Sequence, residues 1–360
     1  MINSLLNRKT KNSNVGKLID TDGNTTNTPS AIADSFNTYF SNIASDLKQK
    51  SCEGDMQNNE DHNFYEKFLK NPVSDTIHLT EVDPGEVYGI INNLKNKATR
   101  DTKISALKIA NKSYSFTSTL AMIINKSFRE GVFPEQMKLA KVIPVHKGGT
   151  KTDRGNYRPI SLLDTFSKIY ERLMHTRILN FLEKNNSLYE DQYGFRPGRS
   201  CEHALLNAQN SLLESLNKRQ ISLLLLIDFS KAFDMVEHYI LLKKLEHYGI
   251  RGLALNWLKS YLFNRKQFVS VNGSDSSAQP VKHGIPQGSI LGPLLFIIYI
   301  NDIPEIARFA KFILYADDAN IIITANTIEE INNQVNELVQ SLVKWVKCNG
   351  LVLNLKKRNI

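Results

Sequence analysis

Cysteine is scarce. The 360 residues hold three, Cys52, Cys201 and Cys348, far apart and never in a Cys-x-x-Cys pair. A disulfide framework and a zinc site are therefore not expected, and a reducing compartment fits. Long apolar runs are missing as well. The longest, near Ile221–Ile227 and Ile290–Ile300, are too short for a membrane span and are broken or bounded by polar residues or Gly-Pro. Met1-Ile2-Asn3-Ser4 lacks the apolar stretch of a signal peptide. An intracellular protein is expected, with nucleus and cytoplasm undistinguished. No Gly-x-x-x-x-Gly-Lys-Ser/Thr sequence occurs, which argues against a Walker-type nucleotide site. Acids are outnumbered: 45 Lys and Arg against 36 Asp and Glu leave a net charge of +9. That surplus favours a polyanionic partner, nucleic acid above all, because Lys and Arg contacts to phosphate dominate such affinity. It equally suits a merely basic protein, and it says nothing about fold.

What is present begins with a hydrophobic content of 41%, enough for one sizeable core or two. Residues 1–63 are rich in Asn, Ser, Thr and Asp. They read as a polar linker carrying one amphipathic helix, with Ile32, Phe36, Tyr39, Phe40 and Ile43 at helical spacing. Residues 64–140 read as a mostly helical extension, punctuated by Pro72, Pro84 and Pro134. From 141 the character changes. Lys141–Lys147 is a strand entering a basic loop. Helical periodicity runs from Thr165 to Leu182 and from Cys201 to Asn217. Ser222–Phe229 is a Leu-rich strand predicted to be buried on both faces. A helix through Leu245, a strand at Gln267–Val271 and a buried helix at Leu291–Ile300 come next. Phe312–Tyr315 and Asn320–Thr324 flank a tight turn, and Ile328–Val346 is an amphipathic helix. This order predicts an α+β fold, an antiparallel sheet of split βαβ type with helices on one face.

The sharpest feature is a set of carboxylates. Leu224-Leu-Leu-Ile-Asp228 is an apolar strand ending in an aspartate. Phe312-Ile-Leu-Tyr-Ala-Asp317-Asp318 is a second one, ending in two. A single Asp after a strand is a common turn residue. A pair between two apolar strands needs its charge neutralised. Hard divalent cations do that with carboxylate oxygens. Asp234, past the turn, reads as a structural cap or hydrogen-bonding residue.

Tyr315-Ala-Asp-Asp318 and Asp228-x-x-x-x-Phe233 resemble motifs C and A of reverse transcriptases. Gly284-Ile-Pro-Gln-Gly-Ser-Ile-Leu-Gly-Pro-Leu-Leu-Phe296 resembles their motif B. Asn156-Tyr-Arg-Pro-Ile-Ser-Leu-Leu163 resembles the fingers motif, and Gln192-Tyr-Gly-Phe-Arg-Pro-Gly-Arg-Ser200 the block after it. The motifs stand in the family's order and are most similar to those of non-LTR, LINE-like, jockey-type retrotransposons. The resemblance covers roughly Lys141 to the C-terminus. The stretch from Phe64 resembles the extension that these enzymes carry. Two departures stand out. Ala98-Thr-Arg-Asp101 lacks the glycine of the family's Ser-x-Gly-x-Asp turn, and Asn354-Leu-Lys-Lys357-Arg358 lacks the threonine of the final motif. A primer grip, a thumb and an upstream endonuclease are not read, so the chain is expected to be a fragment of a longer polyprotein. A decayed copy that binds nucleic acid without extending a primer is the alternative.

The resemblance implies right-hand fingers and palm, with residues 141–360 as that domain, and RNA-directed DNA polymerase activity in retrotransposon replication. It implies two Mg2+ ions, with Mn2+ able to substitute, held by Asp228 and Asp317 with Asp318 in support. The partners implied are an RNA template, a DNA primer and dNTPs. Arg158 matches the triphosphate-binding arginine. Lys147 and Lys151 are weaker candidates that also suit a solvated loop. Phe233 matches the aromatic under the sugar, or else packs its helix. Gln287 matches a residue lining the dNTP site, and Gly288 allows close backbone approach. Arg196 and Arg199 are candidates for template phosphates or for pairing with a carboxylate such as Glu190. Tyr315 and Lys357 are the remaining template–primer candidates.

Overall fold

The structure is a computed structural model, and it describes residues 15–19, 25–52, 64–69 and 72–354. Lys357 lies outside them. The strands are β1 (Leu18–Ile19), β2 (Thr25–Thr26), β3 (Leu139–His146), β4 (Tyr157–Leu162), β5 (Ile221–Asp228), β6 (Lys266–Val271), β7 (Ser274–Asp275), β8 (Gln279–Pro280), β9 (Lys311–Tyr315) and β10 (Asp318–Ala325). The helices are α1 (Pro29–Cys52), α2 (Pro84–Asn93), α3 (Ile104–Ala110), α4 (Tyr114–Glu130), α5 (Thr165–Lys184), α6 (Cys201–Asn217), α7 (Ala232–Met235), α8 (His238–His247), α9 (Gly252–Leu262), α10 (Gly292–Tyr299) and α11 (Ile328–Cys348). This is an α+β architecture. Among the described residues no helix is long and apolar enough to cross a membrane.

Local chemistry sets the helix ends. Asp164 caps α5 by accepting from the Phe166 amide at 2.7 Å. Thr327 and Glu330 form a capping box at the start of α11. The inner face of α11 carries Ile331, Leu338, Leu342, Trp345 and Val346 at helical spacing. Helix α10 is apolar all round and buried except at Pro293, as suits a helix in the middle of a core.

Strands β5, β10 and β9 form an antiparallel sheet in that order. Side chains alternate across it. Phe312, Leu314, Ile321 and Ile323 belong to the main core, with Leu223, Leu225 and Ile227 packed against it. Ile313 and Ile322 point the other way and meet Ala204, Ala208 and Leu212 of α6. Helices therefore cover both faces, not one as the element order predicts. Two apolar residues on the far side need cover, and α6 supplies it. Nor is β5 buried on both faces. Leu224 and Leu226 are 42% and 57% exposed. A run in which nearly every residue is apolar fixes no face, and β5 is the outer strand of its sheet.

The second sheet has the order β4-β3-β6-β7, with β8 also beside β6. Strands β3 and β6 run parallel and the other pairs antiparallel. Helix α1 lies on it. Its Ile32, Phe36 and Phe40 share a core with Val142, Tyr157, Val269 and Val271. Asn37 donates to the Ser277 carbonyl at 2.7 Å and accepts from Gln267 at 3.1 Å.

One buried ion pair sits in the main core. Lys244 Nζ donates to Asp302 Oδ1 at 2.7 Å and to the Tyr299 carbonyl at 2.6 Å, with the two side chains 0% and 1% exposed. Burial pulls the lysine down and pushes the aspartate up, and each opposes the other's shift. Lys244→Met leaves an uncompensated buried carboxylate, so unfolding should be easier by about 3–5 kcal/mol. Adding Asp302→Leu should return part of that loss. Urea midpoints of the single and double variants check this, and a double variant no better than the single one contradicts it.

Candidate active site

The antiparallel register puts Asp228, the last residue of β5, opposite Asp318, the first of β10. Asp318 also faces Tyr315 across the β9–β10 hairpin. The two-residue turn is Ala316-Asp317, with Ala316 at φ +56°. Hairpins of this length need positive φ in the turn. The three aspartates are thus brought to one end of one sheet by pairing alone. Among the described residues no group of three or more His, Cys, Asp or Glu is gathered as it would be around an ion. The donor set itself, oxygen only and partly open to solvent, suits a hard divalent cation.

Asp228 is held from the side. Residues 352–354 run along the end of β5: Ser230 N donates to Val352 O at 2.8 Å, and Asn354 N to Asp228 O at 2.9 Å. Asn354 Nδ2 then reaches Asp228 Oδ2 at 2.7 Å. Asn354 opens the last motif, yet its sequence context carries no sign of this duty.

The glycine-rich loop before α10 is tied to the segment that follows β5, with Ile285 N donating to Phe233 O at 2.8 Å. Gln287 donates its amide to both oxygens of Asp234, at 2.9 and 3.0 Å. Asp234 is thus a hydrogen-bonding residue rather than a cap. Gln287 O accepts from Ser161 N of β4 at 2.8 Å. Gly288, at φ +128°, lies so near that an added Cβ would sit 2.5 Å from Ser161 O. Only glycine permits that approach. The loop's far end is held by Glu171, fully buried on α5. Its Oε2 accepts from Ile290 N at 2.6 Å and Leu291 N at 3.3 Å, and its Oε1 from Ser167 Oγ at 2.6 Å. Burial pushes its carboxyl up, against those hydrogen bonds and the Arg265 charge. Sequence reasoning missed Glu171, although an acid amid the apolar positions of a helix was a signal. Phe233 stacks on Phe296 with centroids 4.6 Å apart and meets Phe195 edge-on at 6.2 Å.

A group of cations gathers at β3 and β4. Arg158 lies exposed on β4, opposite Val145, and Lys147 lies exposed just past β3. Lys231, missed in the sequence, joins them. At φ +50° it donates its amine to Tyr157 O at 3.2 Å and Gly155 O at 3.4 Å. Burial, with the Lys147 and Arg158 charges, lowers that amine to about 8, while Asp234 pulls it back up. Tyr39 of α1 presents its ring to Arg154 at 5.5 Å and to Lys231 at 5.9 Å. Lys151 is exposed and farther along the loop, its carbonyl accepting from the Tyr157 hydroxyl at 2.7 Å.

The remaining candidates separate. Arg196 is buried and forked onto Glu183 at 2.8–3.1 Å, with a further bond to Tyr189 O at 2.9 Å. Its carboxylate partner is therefore Glu183 and not Glu190. Arg199 donates to the Glu190 backbone carbonyl and lies over the Tyr193 ring at 5.4 Å. Tyr315 stands at the end of β9, 38% exposed.

The family model described as reverse transcriptase (RNA-dependent DNA polymerase) matches residues 145–360, which include all of these motifs. The chain belongs to the reverse transcriptase family. Among curated proteins it is 32% identical over 252 residues to the probable RNA-directed DNA polymerase from transposon BS of Drosophila melanogaster, covering 66% of this chain and 27% of that protein. It is 30% identical over 301 residues to the RNA-directed DNA polymerase from mobile element jockey of the same fly, covering 81% and 33%. For the probable RNA-directed DNA polymerase from transposon X-element the figures are 29% over 287 residues, 78% and 32%. The chain thus spans 27–33% of the length of these relatives.

In this reverse transcriptase chain the Asp234–Gln287 pair has a pH signature. Burial pushes the Asp234 carboxyl up to about 6, with Gln287 and Lys231 pulling the other way. An unfolded aspartate titrates near about 3.9. The folded form therefore holds its proton more tightly. That contribution to stability is complete below about pH 4 and is lost as pH rises through about 6. Asp234→Asn cannot ionise and keeps an acceptor for Gln287. It should exceed the parent in stability at pH 7 by about 1–3 kcal/mol and match it more closely at pH 4. Urea midpoints across that range decide, and a pH-independent difference contradicts the assignment.

Proposed function

We propose that this chain is the polymerase core of an RNA-directed DNA polymerase of the non-LTR retrotransposon kind. It adds dNMP units to a primer 3′-hydroxyl on an RNA template. The observation that carries the reading is Asp228 facing Asp318 across β5–β10, with Asp317 in the adjoining turn. In this reading residues 141–360 are fingers and palm, residues 64–140 a helical extension, and residues 1–63 a linker with its docking helix.

Asp228 and Asp317 would hold two Mg2+ ions, or Mn2+ in their place, with Asp318 in support. Bound there, such ions supply Lewis-acid chemistry, lowering the pKa of the attacking hydroxyl and offsetting charge on the departing pyrophosphate. Asn354, which donates to Asp228 Oδ2 at 2.7 Å, would help fix that carboxylate. The dNTP triphosphate meets Arg158, whose planar fork suits phosphate oxygens, and Lys147 beside it. Lys151, out on the loop, has a solvated surface role. Phe233 lies beneath the sugar, where a 2′-hydroxyl collides with a ring braced by Phe296. Gln287, steadied by Asp234, lines the base-pair pocket, and Gly288 lets the backbone draw close. Arg199 and Tyr315 reach toward template and primer. Arg196 is better explained by its pairing with Glu183.

Asp317→Asn removes a ligand charge and keeps the shape. Primer extension should slow by at least about a hundredfold, while primer–template affinity stays within about twofold. Extension at close to the parental rate would sink the assignment.

A further inference from the structure

The block Gln192–Ser200 matches the family, yet its best-placed side chain has no assigned task. Gln192 is only 2% exposed. It runs beside the outer edge of β9, forming a parallel bridge with Leu314. Tyr193 N donates to Leu314 O at 2.8 Å, and Leu314 N to Asp191 O at 2.9 Å. The Tyr189 hydroxyl adds a bond to Phe312 O at 3.0 Å. The segment is thus stitched to the strand that leads into the Ala316-Asp317 turn.

At the turn the side chain takes over. Gln192 Oε1 accepts from Gly194 N at 2.8 Å and from Ala316 N at 3.2 Å. Ala316 stands at φ +56°, a region that residues with a Cβ avoid unless something holds them there. A buried amide without an acceptor is costly. Gly194 makes the approach possible, because a Cβ added there would lie 2.2 Å from Ala316 N. The other amide atom, Nε2, finds no partner among the described residues. The oxygen is the part in use.

We propose that Gln192 is a positioning residue of the polymerase site: its side-chain carbonyl clamps the Tyr315–Asp318 turn and so sets Asp317 relative to Asp228. This rests on the reading of those aspartates as catalytic. The clamp acts through backbone amides and touches neither substrate nor the reacting atoms. Losing it should free the turn without loosening nucleotide or primer binding.

The test compares the full chain with Gln192→Met, which has no acceptor, and Gln192→Glu, which keeps an oxygen at the same reach. Hydrogen exchange of the peptide spanning residues 312–320 is read without metal, nucleotide or nucleic acid. Steady-state extension is read separately. For the Met variant, exchange in that peptide should speed by about tenfold or more and kcat fall by about tenfold or more. The KM for dNTP and the primer–template Kd should stay within about twofold. The Glu variant should stay within about threefold of the parent in exchange and kcat. Parental exchange in the Met variant overturns the clamp, as does a Glu variant that loses kcat as fully as Met. If the Met variant does not fold, the Glu variant decides by the same criteria. Should exchange respond as expected while both Gln192→Met and Asp317→Asn extend primers normally, the catalytic reading of the aspartates fails and the clamp stands. Should Asp317→Asn be inactive while Gln192→Met is not, the positioning role fails.

Discussion

Three aspartates share one end of one sheet, and like charges so placed repel, a cost that the fold must meet. Two unit charges about 4 Å apart cost about 4 kcal/mol at a protein-surface dielectric and about 1 in water. The β5–β10 ladder supplies the opposing constraint, because its register leaves Asp228 and Asp318 no other place. Isoleucines and leucines anchor that ladder on both faces. The polar site therefore depends on apolar residues that never touch it.

Segments distant in sequence are joined through backbone groups. Ser161 of β4 reaches the Gln287 carbonyl, Glu171 of α5 holds the following turn, and residues 352–354 flank Asp228. Such bonds fix loops that side-chain packing alone leaves loose, and buried amides leave little freedom in where they point. The cations differ. Arg158 and Lys147 stay exposed, while Lys231 is drawn inward against carbonyls and the Tyr39 ring. Helix α1 takes part through the Tyr39 ring, which lies against Arg154 and Lys231.

Much of this was legible in the sequence, for identifiable reasons. Cys201–Asn217 and Thr165–Lys184 announce themselves by apolar spacing and end at polar residues. The strand–turn–strand around Asp317 follows from two apolar runs and the short gap between them. Strand β4 was hidden because Arg-Pro inside it reads as punctuation, and the sheet's outer position lets Pro159 sit there. The break between α7 and α8 was hidden because Met235 and Val236 continue the apolar rhythm through it. Gln192, Lys231 and Asn354 gave no sign of their contacts, and Glu171 only that of an acid among apolar positions, because each meets a partner that only the tertiary fold brings near. The Leu run of β5 misled in the opposite sense, since uniform hydrophobicity carries no information about which face is covered.

In the proposed reading the ends of β5 and the β9–β10 hairpin form one divalent-cation site. Replacing Mg2+ with Fe2+ in the presence of ascorbate and peroxide generates radicals that cut the backbone beside the bound ion, and mass spectrometry maps the cuts. The account expects cleavage both near Asp228 and within the Tyr315–Asp318 turn, suppressed together by excess Mg2+. Cleavage at one of the two segments without the other, or at neither, would contradict it.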